Sequence, residues 1–422
     1  MVRKIKGGDR MLNVSNLLSS RAKKLNPSAI RELVKYTGQP GFISFAGGYP
    51  DPKVFPKEKV KEATSNAIKK YGPKMMQYSS TQGIPELLEF LRNYMREKEH
   101  CHHCEEDSLM ITSASQQALS LLAQVLLDPG DIVIVEEPTY VGGLVAFRSM
   151  QARFVGIPIT EEGMDIDILE QKLKKHRAKG DPVKAIYTIP TFQNPAGTTM
   201  PNKNRRRIVE LAKEYNVVII EDDPYGYLVY DGERPPTIKS FDDSSTVIYL
   251  STFSKTLIPG FRLGFAVGHP DIIRKMIIAK QAADLCTSAF VQYITLELMK
   301  DQEFFNAHIE NMRKLYKQKR DIMLESLEKE FGNEKEIKWT HPNGGFFIWM
   351  EFPEWVDTYE MFKYMIDEKI VALYGSAFYP YPELGKRNTL RLNFSLPQPE
   401  EIPEGVMRLK KAYKRYREER MM

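Results

Sequence analysis

Short apolar runs separated by helical stretches dominate the chain between residues 109 and 267. Most of these runs are four or five residues long, uninterrupted and rich in Val and Ile, which is typical of strands buried on both faces of a sheet. They lie at residues 109–112, 132–135, 154–157, 185–189, 217–220, 247–250 and 263–267. Their alternation with helices predicts an α/β fold with a mainly parallel seven-stranded sheet and helices on both faces. The last run follows its predecessor too closely for an intervening helix, which leaves an antiparallel arrangement open for it.

Both ends of the chain are predicted to form a second, smaller α/β domain. Residues 1 to about 40 are interpreted as an arm and a short helix. Helical periodicity covers residues 57–70, 85–99, 270–331 with interruptions, 358–368 and 403–420, and two strands are predicted within 343–352 and 388–397. We expect residues 1–58 to form the arm and part of the small domain, residues 59–305 the large domain, and residues 306–422 the rest of the small domain.

Composition and charge exclude several classes of function. The chain has 422 residues, of which 42% are hydrophobic and 27% charged, so it is long enough for two domains with ample cores. The net charge is only +5 and the charges are interspersed, so we expect no nucleic-acid partner. No run approaches the roughly 18 apolar residues that a membrane span needs. No apolar region follows the basic N-terminus, so we expect no signal peptide and a cytoplasmic protein.

A cluster of His and Cys residues occupies positions 100–104, with the sequence HCHHC. A zinc site needs four converging ligands, and no second pair of Cys or His lies at a recognisable zinc-site spacing. The cluster follows a predicted helix rich in Lys and Glu. We therefore interpret it as a surface turn and expect no metal, while a metal site or a local disulfide remains an alternative.

Side chains capable of chemistry follow the predicted strands at the ends where parallel sheets bind ligands. These residues are Ser115 in SASQQAL, Tyr140 in EEPTY, Asn194 in NPAG, Asp222 and Tyr225 in EDDPYG, and Lys255 after the sixth run. Taken singly, each also has a structural interpretation: Ser115 can cap a helix, for example, and Asn194 can shape an Asn-Pro turn. Taken together they indicate one site, because all fall at the same edge of one sheet.

The stretch 251–264, STFSKTLIPGFRLG, combines an amine with donors for an anion. Thr252 and Ser254 flank Lys255, and a Pro-Gly turn brings Arg262 back toward them. A lysine whose pKa is lowered by cationic neighbours or an apolar pocket can form a Schiff base with an aldehyde. Arginine and hydroxyl donors suit phosphate. An aldehyde and a phosphate on one molecule describe pyridoxal 5'-phosphate (PLP), although this stretch alone also fits a solvated lysine in a loop.

A PLP site needs further parts, and the sequence offers a candidate for each. A carboxylate against the pyridine nitrogen keeps it protonated and makes the ring an electron sink, which is a role for Asp222. Tyr225 and Asn194 would tune the Schiff base through the ring oxygen, and Tyr140 could stack on the ring. Arg391 lies in an otherwise apolar strand, where it must reach water or meet an anion. It is therefore a candidate for a bidentate grip on a substrate carboxylate.

The segment 41–56, GFISFAGGYPDPKVFP, is dense in Gly and Pro with aromatic residues between them, which predicts an ordered loop. Gly48 and the glycine before it allow close approach of the backbone, either to a ligand or within a surface turn. Tyr49 adds to the aromatic character of the loop, together with Phe42 and Phe45. An aromatic loop beside the site favours an aromatic substrate.

Eight motifs in order along nearly the whole chain resemble those of the fold type I PLP-dependent aminotransferases. The resemblance is to the branch that contains kynurenine, 2-aminoadipate and aromatic amino acid aminotransferases. The motifs are FAGGYPDPKVFP, QYSSTQGIPELLEFL, SASQQAL, EEPTY, NPAG, EDDPYG, SKTLIPGFRLG and NTLRLNFS. Any one of them is a weak signal, but eight in order are specific. The resemblance implies a large PLP-binding domain and a smaller α/β domain.

The resemblance also implies a role for each matching residue. Lys255 would form the Schiff base and move the proton between the substrate and the cofactor. Asp222 would hold the pyridinium, Tyr225 and Asn194 would contact the ring oxygen, and Tyr140 would stack on the ring. Phosphate would be bound by Ser115, Gln116, Thr252, Ser254 and Arg262, and by Tyr78 of a neighbouring subunit. Thr252 stands where the family is expected to have serine, and it keeps the hydroxyl. The substrate would be bound by Arg391 through its α-carboxylate, and by Asn194, Gly48 and Tyr49.

These features predict a homodimeric aminotransferase with active sites at the dimer interface. It would move the amino group of an aromatic amino acid to a 2-oxo acid, with 2-oxoglutarate as the first candidate acceptor, by a ping-pong mechanism. Kynurenine and 2-aminoadipate are the next candidate donors. A β-lyase acting on cysteine conjugates is an alternative, because it needs the same lysine and electron sink. An aminotransferase-like transcription regulator is not expected, because too few residues precede Leu12 for a DNA-binding domain.

Overall fold

The computed structural model describes residues 12, 14–23, 36 and 38–421. Most of the predicted N-terminal arm therefore lies outside the described residues. Within them, a 3-10 turn covers Val14–Asn16 and a short helix, α1, covers Ser20–Lys23. The long helices and the strands all lie between residues 43 and 421.

The secondary structure agrees with the predicted alternation. The helices are α2 (Lys57–Tyr71), α3 (Pro85–Glu97), α4 (Ala114–Leu126), α5 (Val141–Ser149), α6 (Ile166–Ala178), α7 (Asn202–Tyr215), α8 (Pro270–Ala283), α9 (Ala289–Lys300), α10 (Gln302–Phe331), α11 (Thr358–Asp367) and α12 (Glu401–Met421). The strands are β1 (Ile43–Ser44), β2 (Leu109–Thr112), β3 (Ile132–Glu137), β4 (Arg153–Thr160), β5 (Gly163–Met164), β6 (Val183–Thr188), β7 (Val218–Asp223), β8 (Val247–Thr252), β9 (Gly264–Val267), β10 (Lys338–Trp339), β11 (Phe347–Glu351), β12 (Ile370–Val371), β13 (Leu373–Tyr374) and β14 (Thr389–Asn393).

The largest sheet has the strand order β2-β9-β8-β7-β6-β3-β4-β5. Neighbours from β8 through β4 are parallel, whereas β9 is antiparallel to both β2 and β8. This antiparallel strand is the seventh predicted run, whose direction the sequence had left open. Among the described residues the sheet has eight strands and not seven, because the chain turns back after β4 and forms the two-residue strand β5. A strand so short has no apolar run to announce it.

Helices cover both faces of this sheet, which explains the uninterrupted apolar runs within its strands. Along β3, Val133 and Val135 pack into one core cluster, whereas Ile132 and Ile134 pack into another on the opposite face. Successive side chains of a strand point to opposite faces, so a sheet covered twice has no polar face to alternate with. The first cluster includes residues of α4 and α8, and the second includes residues of α6 and α7.

A second sheet of four strands, β10-β11-β14-β13, is antiparallel throughout. Arg391 of β14 pairs with Trp349 of β11 and with Leu373 of β13, so it lies in the middle of this sheet. Strand β1, which leads into the glycine-rich loop, pairs with β12. The predicted domain boundary after residue 305 falls inside the continuous helix α10, and the division into domains stays a prediction.

The cysteines of the HCHHC cluster are buried, which corrects the interpretation of this segment as a plain surface turn. Cys101 is 4% exposed and Cys104 is fully buried, and both belong to the largest hydrophobic cluster. Cysteine behaves as a small apolar side chain, so it can anchor a turn whose histidines face outward. His103 accordingly contacts the carbonyl oxygen of Asp243 at 2.7 Å. Within the described part of the chain, no three His, Cys, Asp or Glu side chains are grouped to hold a metal ion.

The parallel strands end at one edge of the large sheet, and the loops that follow them carry the predicted site. Strand β7 ends in Asp222 and Asp223, and β8 ends in Thr252, three residues before Lys255. Arg391 comes from the second sheet and faces the same region. Among the described residues, no helix is both long enough and apolar enough to cross a membrane.

Candidate active site

A pocket of about 250 Å³ lies at the carboxyl ends of the parallel strands. Every residue that the sequence analysis placed in the site lines this pocket, with the single exception of Tyr78. The other lining residues are Gly47, Ala114, Ile189, Pro224 and Phe347. The tertiary structure therefore brings together residues that are separated by more than 300 positions in sequence.

Lys255 lies in the turn that follows β8 and points its amine into the pocket. Its Nζ donates a hydrogen bond to the carbonyl oxygen of Gly48 at 2.7 Å. Burial is the main cause that lowers the pKa of Lys255 to about 8, and the cationic side chains of Arg391 and Arg262 contribute to this decrease. Losing its proton is therefore much easier for this lysine than for one in water, which is the condition for a nucleophile or a base.

Hydroxyl and guanidinium donors cluster beside the lysine. The Thr252 hydroxyl donates to Ser254 Oγ at 3.0 Å, and Arg262 Nη1 lies 3.4 Å from the same oxygen. Ser115 lies in the first turn of α4, where free main-chain N–H groups and the positive end of the helix dipole favour an anion. Gln116 lies in the same helical turn, so its main-chain N–H can join this group. Its side chain is occupied elsewhere, because it donates to Gly142 O at 2.9 Å and accepts from the Tyr140 hydroxyl. The cluster has the composition of a phosphate site.

Asp222 presents an oxygen atom without a partner. Its Oδ2 accepts a hydrogen bond from the Tyr187 hydroxyl at 3.0 Å, whereas its buried Oδ1 has no hydrogen-bond partner among the described residues. The residue is 2% exposed, and burial raises the pKa of Asp222 to about 7. A buried carboxylate oxygen left open is unfavourable unless a donor arrives. A protonated ring nitrogen is a donor of this kind, and it would also keep the carboxylate ionised.

Arg391 is a buried cation held by neutral acceptors. Its Nη1 donates to Asn194 Oδ1 at 2.9 Å and its Nη2 donates to Ala46 O at 2.6 Å. The guanidinium also lies over the ring of Phe347 at 4.2 Å and that of Phe378 at 4.8 Å. Burial lowers the pKa of Arg391 to about 10. No carboxylate of the described residues forms an ion pair with it, so its charge is available to a substrate carboxylate.

Aromatic side chains complete the walls. Tyr140 is the N-cap residue of α5, lines the pocket and donates to Gln116 Oε1 at 3.2 Å, and burial raises its pKa to about 12. Tyr225 is buried beside Asn194, and burial raises its pKa above the ordinary value. Tyr49 is 48% exposed at the opening of the pocket. Tyr78 is 79% exposed and does not line the pocket of its own chain.

The sequence analysis missed two side chains that shape the site. Phe347 packs against the Arg391 guanidinium and would collide with any side chain at position 48, where a Cβ atom would lie 2.9 Å from its ring. Tyr187 holds Asp222 from a neighbouring strand. The alternation along β11 and the pairing of β6 with β7 could have pointed to them, but only once the order of the strands was known.

The residues present fit PLP. The open oxygen of Asp222, the amine of Lys255 with its lowered pKa and the anion cluster around Ser254 match the ring nitrogen, the aldehyde and the phosphate in turn. When bound, PLP supplies an aldehyde that captures amines and a ring that withdraws electrons from the substrate α-carbon. The protein side chains then have to hold the ring, orient the substrate and move protons.

Comparison with known proteins gives a consistent result. The family model described as aminotransferase class I and II matches residues 46–409. Aromatic-amino-acid aminotransferase 1 of Thermococcus litoralis is 43% identical over 403 residues, which cover 96% of this chain and 95% of that protein. The 2-aminoadipate transaminase of Thermus thermophilus is 38% identical, with 96% of this chain and 98% of that protein covered. A crystal structure of kynurenine aminotransferase from Pyrococcus horikoshii superposes with a TM-score of 0.91 at 43% identity, covering 96% and 98% of the two chains.

Proposed function

The chain belongs to the class I and II aminotransferases, which are PLP-dependent enzymes, and we propose from this that it transfers the amino group of an aromatic amino acid to a 2-oxo acid. Kynurenine and 2-aminoadipate are the next donors in our order of preference. The observation that carries the proposal is the arrangement of Arg391, Lys255 and Asp222 around one pocket. An α-carboxylate bound by Arg391 would leave the α-carbon between the guanidinium and the lysine amine. A β-lyase and a transcription regulator are not favoured as alternatives, because the relatives described above are named as aminotransferases.

Each proposed role follows from the local contacts. Arg391 is held rigidly by Asn194, Ala46 and two aromatic rings, so it can orient a carboxylate at little cost in side-chain entropy. Lys255 has a pKa close to neutrality, which suits a base that takes the α-proton and returns it at another atom. Asp222 would keep the ring nitrogen protonated. The hydroxyls near Ser254, together with Arg262, would fix the phosphate and thereby the ring.

The reaction would proceed in two halves at this one site. The donor would leave its amino group and depart as a 2-oxo acid before the acceptor binds, because both substrates need the same Arg391 guanidinium and the same Lys255 amine in one pocket. We propose 2-oxoglutarate as the acceptor. Arg391 accounts for one of its two carboxylates, and the remainder of a donor or acceptor would lie beside Tyr49, which is exposed at the opening of the pocket, whereas Phe45 is fully buried.

The names of the relatives support the choice of donor. They include an aromatic-amino-acid aminotransferase and a 2-aminoadipate transaminase, and the Pyrococcus horikoshii enzyme was solved with kynurenine as substrate. To test the choice, the protein is loaded with PLP, donors are added one at a time, and the absorption of the bound cofactor is followed. Aromatic donors are expected to change the spectrum most efficiently. If no aromatic donor does so and 2-aminoadipate does, the preferred donor is wrong.

The central test of the function is the variant Lys255→Ala. Borohydride reduction after loading with PLP should label the parent protein at residue 255 and should leave the variant unlabelled at that position. Lys255→Arg keeps the cation and lacks a usable nucleophile, so it controls for the loss of charge and is also expected to be inactive. A Lys255→Ala protein that transaminates at the parent rate would contradict the mechanism.

We also propose that the active unit is a homodimer in which Tyr78 reaches the phosphate site of the partner. Tyr78 is exposed in the isolated chain, and other large apolar side chains are exposed with it, including Met76, Leu285 and Phe290. Sedimentation should give twice the mass of the 48.7 kDa chain. Tyr78→Phe should weaken PLP binding without changing the sedimentation. A monomer with full activity would overturn this part of the proposal.

The proposed location of the enzyme is the cytoplasm. Its support is the low number of cysteines, three in 422 residues, which fits a reducing compartment. Cell fractionation with an antibody against the protein tests this directly, and recovery in a secreted or membrane fraction would contradict it.

A further inference from the structure

Glu136 is a buried carboxylate in contact with several donors, and the mechanism described above does not use it. It lies near the end of β3 and is 1% exposed. It accepts hydrogen bonds from the Thr188 hydroxyl at 2.6 Å, from the Ile189 main-chain N–H at 3.3 Å and from Gln193 Nε2 at 2.9 Å. All three donors belong to the segment that leads from β6 to Asn194. A carboxylate so deeply buried needs such donors, and here they come from the last residue of β6 and the loop that follows it.

Gln193 connects this carboxylate to a second loop. Its Nε2 also donates to the main-chain oxygen of Pro138 at 2.9 Å, two residues before Tyr140. Its Oε1 accepts from the Ala196 N–H at 2.7 Å, which closes the turn around Asn194. The side chain is 1% exposed, and each of its polar atoms has a partner. Gln193 therefore joins the loop that carries Tyr140 to the loop that carries Asn194.

We propose that Glu136 and Gln193 are positioning residues. They hold the loop that carries Tyr140 and the loop that carries Asn194 at a fixed separation. This separation fixes both the PLP site and the position of the Arg391 guanidinium. The inference rests on the proposed function, since it assumes that Tyr140 and Asn194 contact the cofactor. Neither positioning residue lines the pocket, so neither can act by touching the cofactor. The connection to substrate binding runs through Asn194 Oδ1, which accepts from Arg391.

Gln193 donates its hydrogen bond to Glu136, and this direction predicts a specific pattern of mutant effects. In Glu136→Gln the new amide group faces the Gln193 amide group, and in Gln193→Glu two carboxylates face each other. Each single change should weaken PLP binding to the apo protein by about tenfold or more, because a buried polar group loses its partner. The double variant again places a donor against an acceptor, although the bond to Pro138 is not restored. It should therefore recover part of the loss, so that the two effects are not additive.

Burial raises the pKa of Glu136 to about 7, so the measurements are made at about pH 8.5, where the carboxylate of the parent is ionised. PLP affinity is measured by titration of the apo proteins. Hydrogen exchange of the apo proteins is measured over residues 138–140 and 194–197. Both segments should lose protection in the single variants, and the second should regain it in the double variant. A mere loss of stability would not produce this selective recovery.

Glu137→Gln is the matched control, because Glu137 is the next residue of β3 and points to the opposite face of the strand. It should leave PLP affinity, exchange and transamination unchanged. The inference is overturned if Glu136→Gln behaves like this control, or if the two single effects simply add in the double variant. Gln193→Met removes both donors without burying a second charge, so its PLP affinity decides the matter if the charged variants do not fold. An inactive parent would contradict the proposed function, whereas an active parent with unaffected variants would contradict this inference alone.

Discussion

Replacing Arg391 by methionine should abolish substrate binding and leave the stability of the apo protein almost unchanged. Arg391 is 3% exposed, and no carboxylate of the described residues forms an ion pair with it. Burial brings the pKa of Arg391 down to about 10, more than two pH units below its ordinary value. At about 1.4 kcal/mol for each pH unit, keeping this side chain charged inside the protein costs roughly 3 kcal/mol.

Methionine removes this unfavourable contribution and keeps most of the aliphatic volume. The change also removes the hydrogen bonds to Asn194 and Ala46, worth about 1 kcal/mol each, and the cation–π contacts with Phe347 and Phe378, worth about 0.5 to 1 kcal/mol each. The two sets of contributions are of similar size. We therefore expect the free energy of unfolding of the apo protein to change by no more than about 1 kcal/mol.

Lys319→Met is the control for this prediction. Lys319 is also fully buried, but it forms an ion pair with Asp51 and donates to Ser395 O at 2.9 Å. Removing one partner of a buried ion pair leaves the other charge uncompensated, which typically costs about 3 to 5 kcal/mol. Urea unfolding of the apo proteins should thus separate the two variants clearly.

The order should be reversed for activity, with a larger loss in Arg391→Met than in Lys319→Met. Two charge-assisted hydrogen bonds to a substrate carboxylate are worth about 3 to 6 kcal/mol, so kcat/KM of Arg391→Met for amino acid donors should fall by about two to four orders of magnitude. Two results would refute the reasoning: a loss of stability as large as that of Lys319→Met, or a kcat/KM within tenfold of the parent. Either would mean that Arg391 is a structural residue.

Three further predictions concern individual groups. The rate of covalent PLP attachment to the apo protein should rise as pH increases through about 8, because only the neutral amine of Lys255 attacks and burial lowers its pKa to about 8; a stopped-flow midpoint near the ordinary lysine value would contradict this. Tyr187→Phe removes the hydrogen bond that lowers the pKa of Asp222, so that pKa should rise further and PLP affinity should fall severalfold in a titration; an unchanged affinity would show that the bond is irrelevant. Cys286 should react much faster than the other two cysteines with a thiol reagent in the folded protein, because those two are buried; equally fast reaction of all three thiols would show that the HCHHC segment opens readily.

The sequence was most informative about the large sheet. Seven short apolar runs predicted seven of its eight strands, because a strand covered on both faces needs apolar residues at every position. The runs were shorter than several of the strands. Strand β7 continues through Glu221, Asp222 and Asp223, and their polarity hides the end of the strand. Those polar residues are functional or hydrogen-bonded, which is why local pattern failed where the site begins.

For the HCHHC segment, the sequence did not predict which side chains are buried. Its composition suggested a surface turn or a metal site, and neither interpretation anticipates two cysteines packed into the largest core cluster. Burial depends on what a neighbouring element covers, and no local pattern contains that information. The same holds for Glu136 and Gln193, whose sequence context shows two ordinary polar residues beside recognisable motifs.

Residue order along the chain already establishes which residue types follow which strands, and therefore the chemistry available: an amine at Lys255, a carboxylate at Asp222 and a guanidinium at Arg391. Parallel strands end at a common edge, so order along the chain was enough to gather the first two. The surroundings of these three groups, in contrast, follow from the packing of the folded chain. Burial lowers the pKa of Lys255. One buried oxygen of Asp222 has no hydrogen-bond partner, and Arg391 has no carboxylate partner, among the described residues. The pKa of a buried group depends on all the atoms packed around it, and those atoms belong to segments that are distant in sequence.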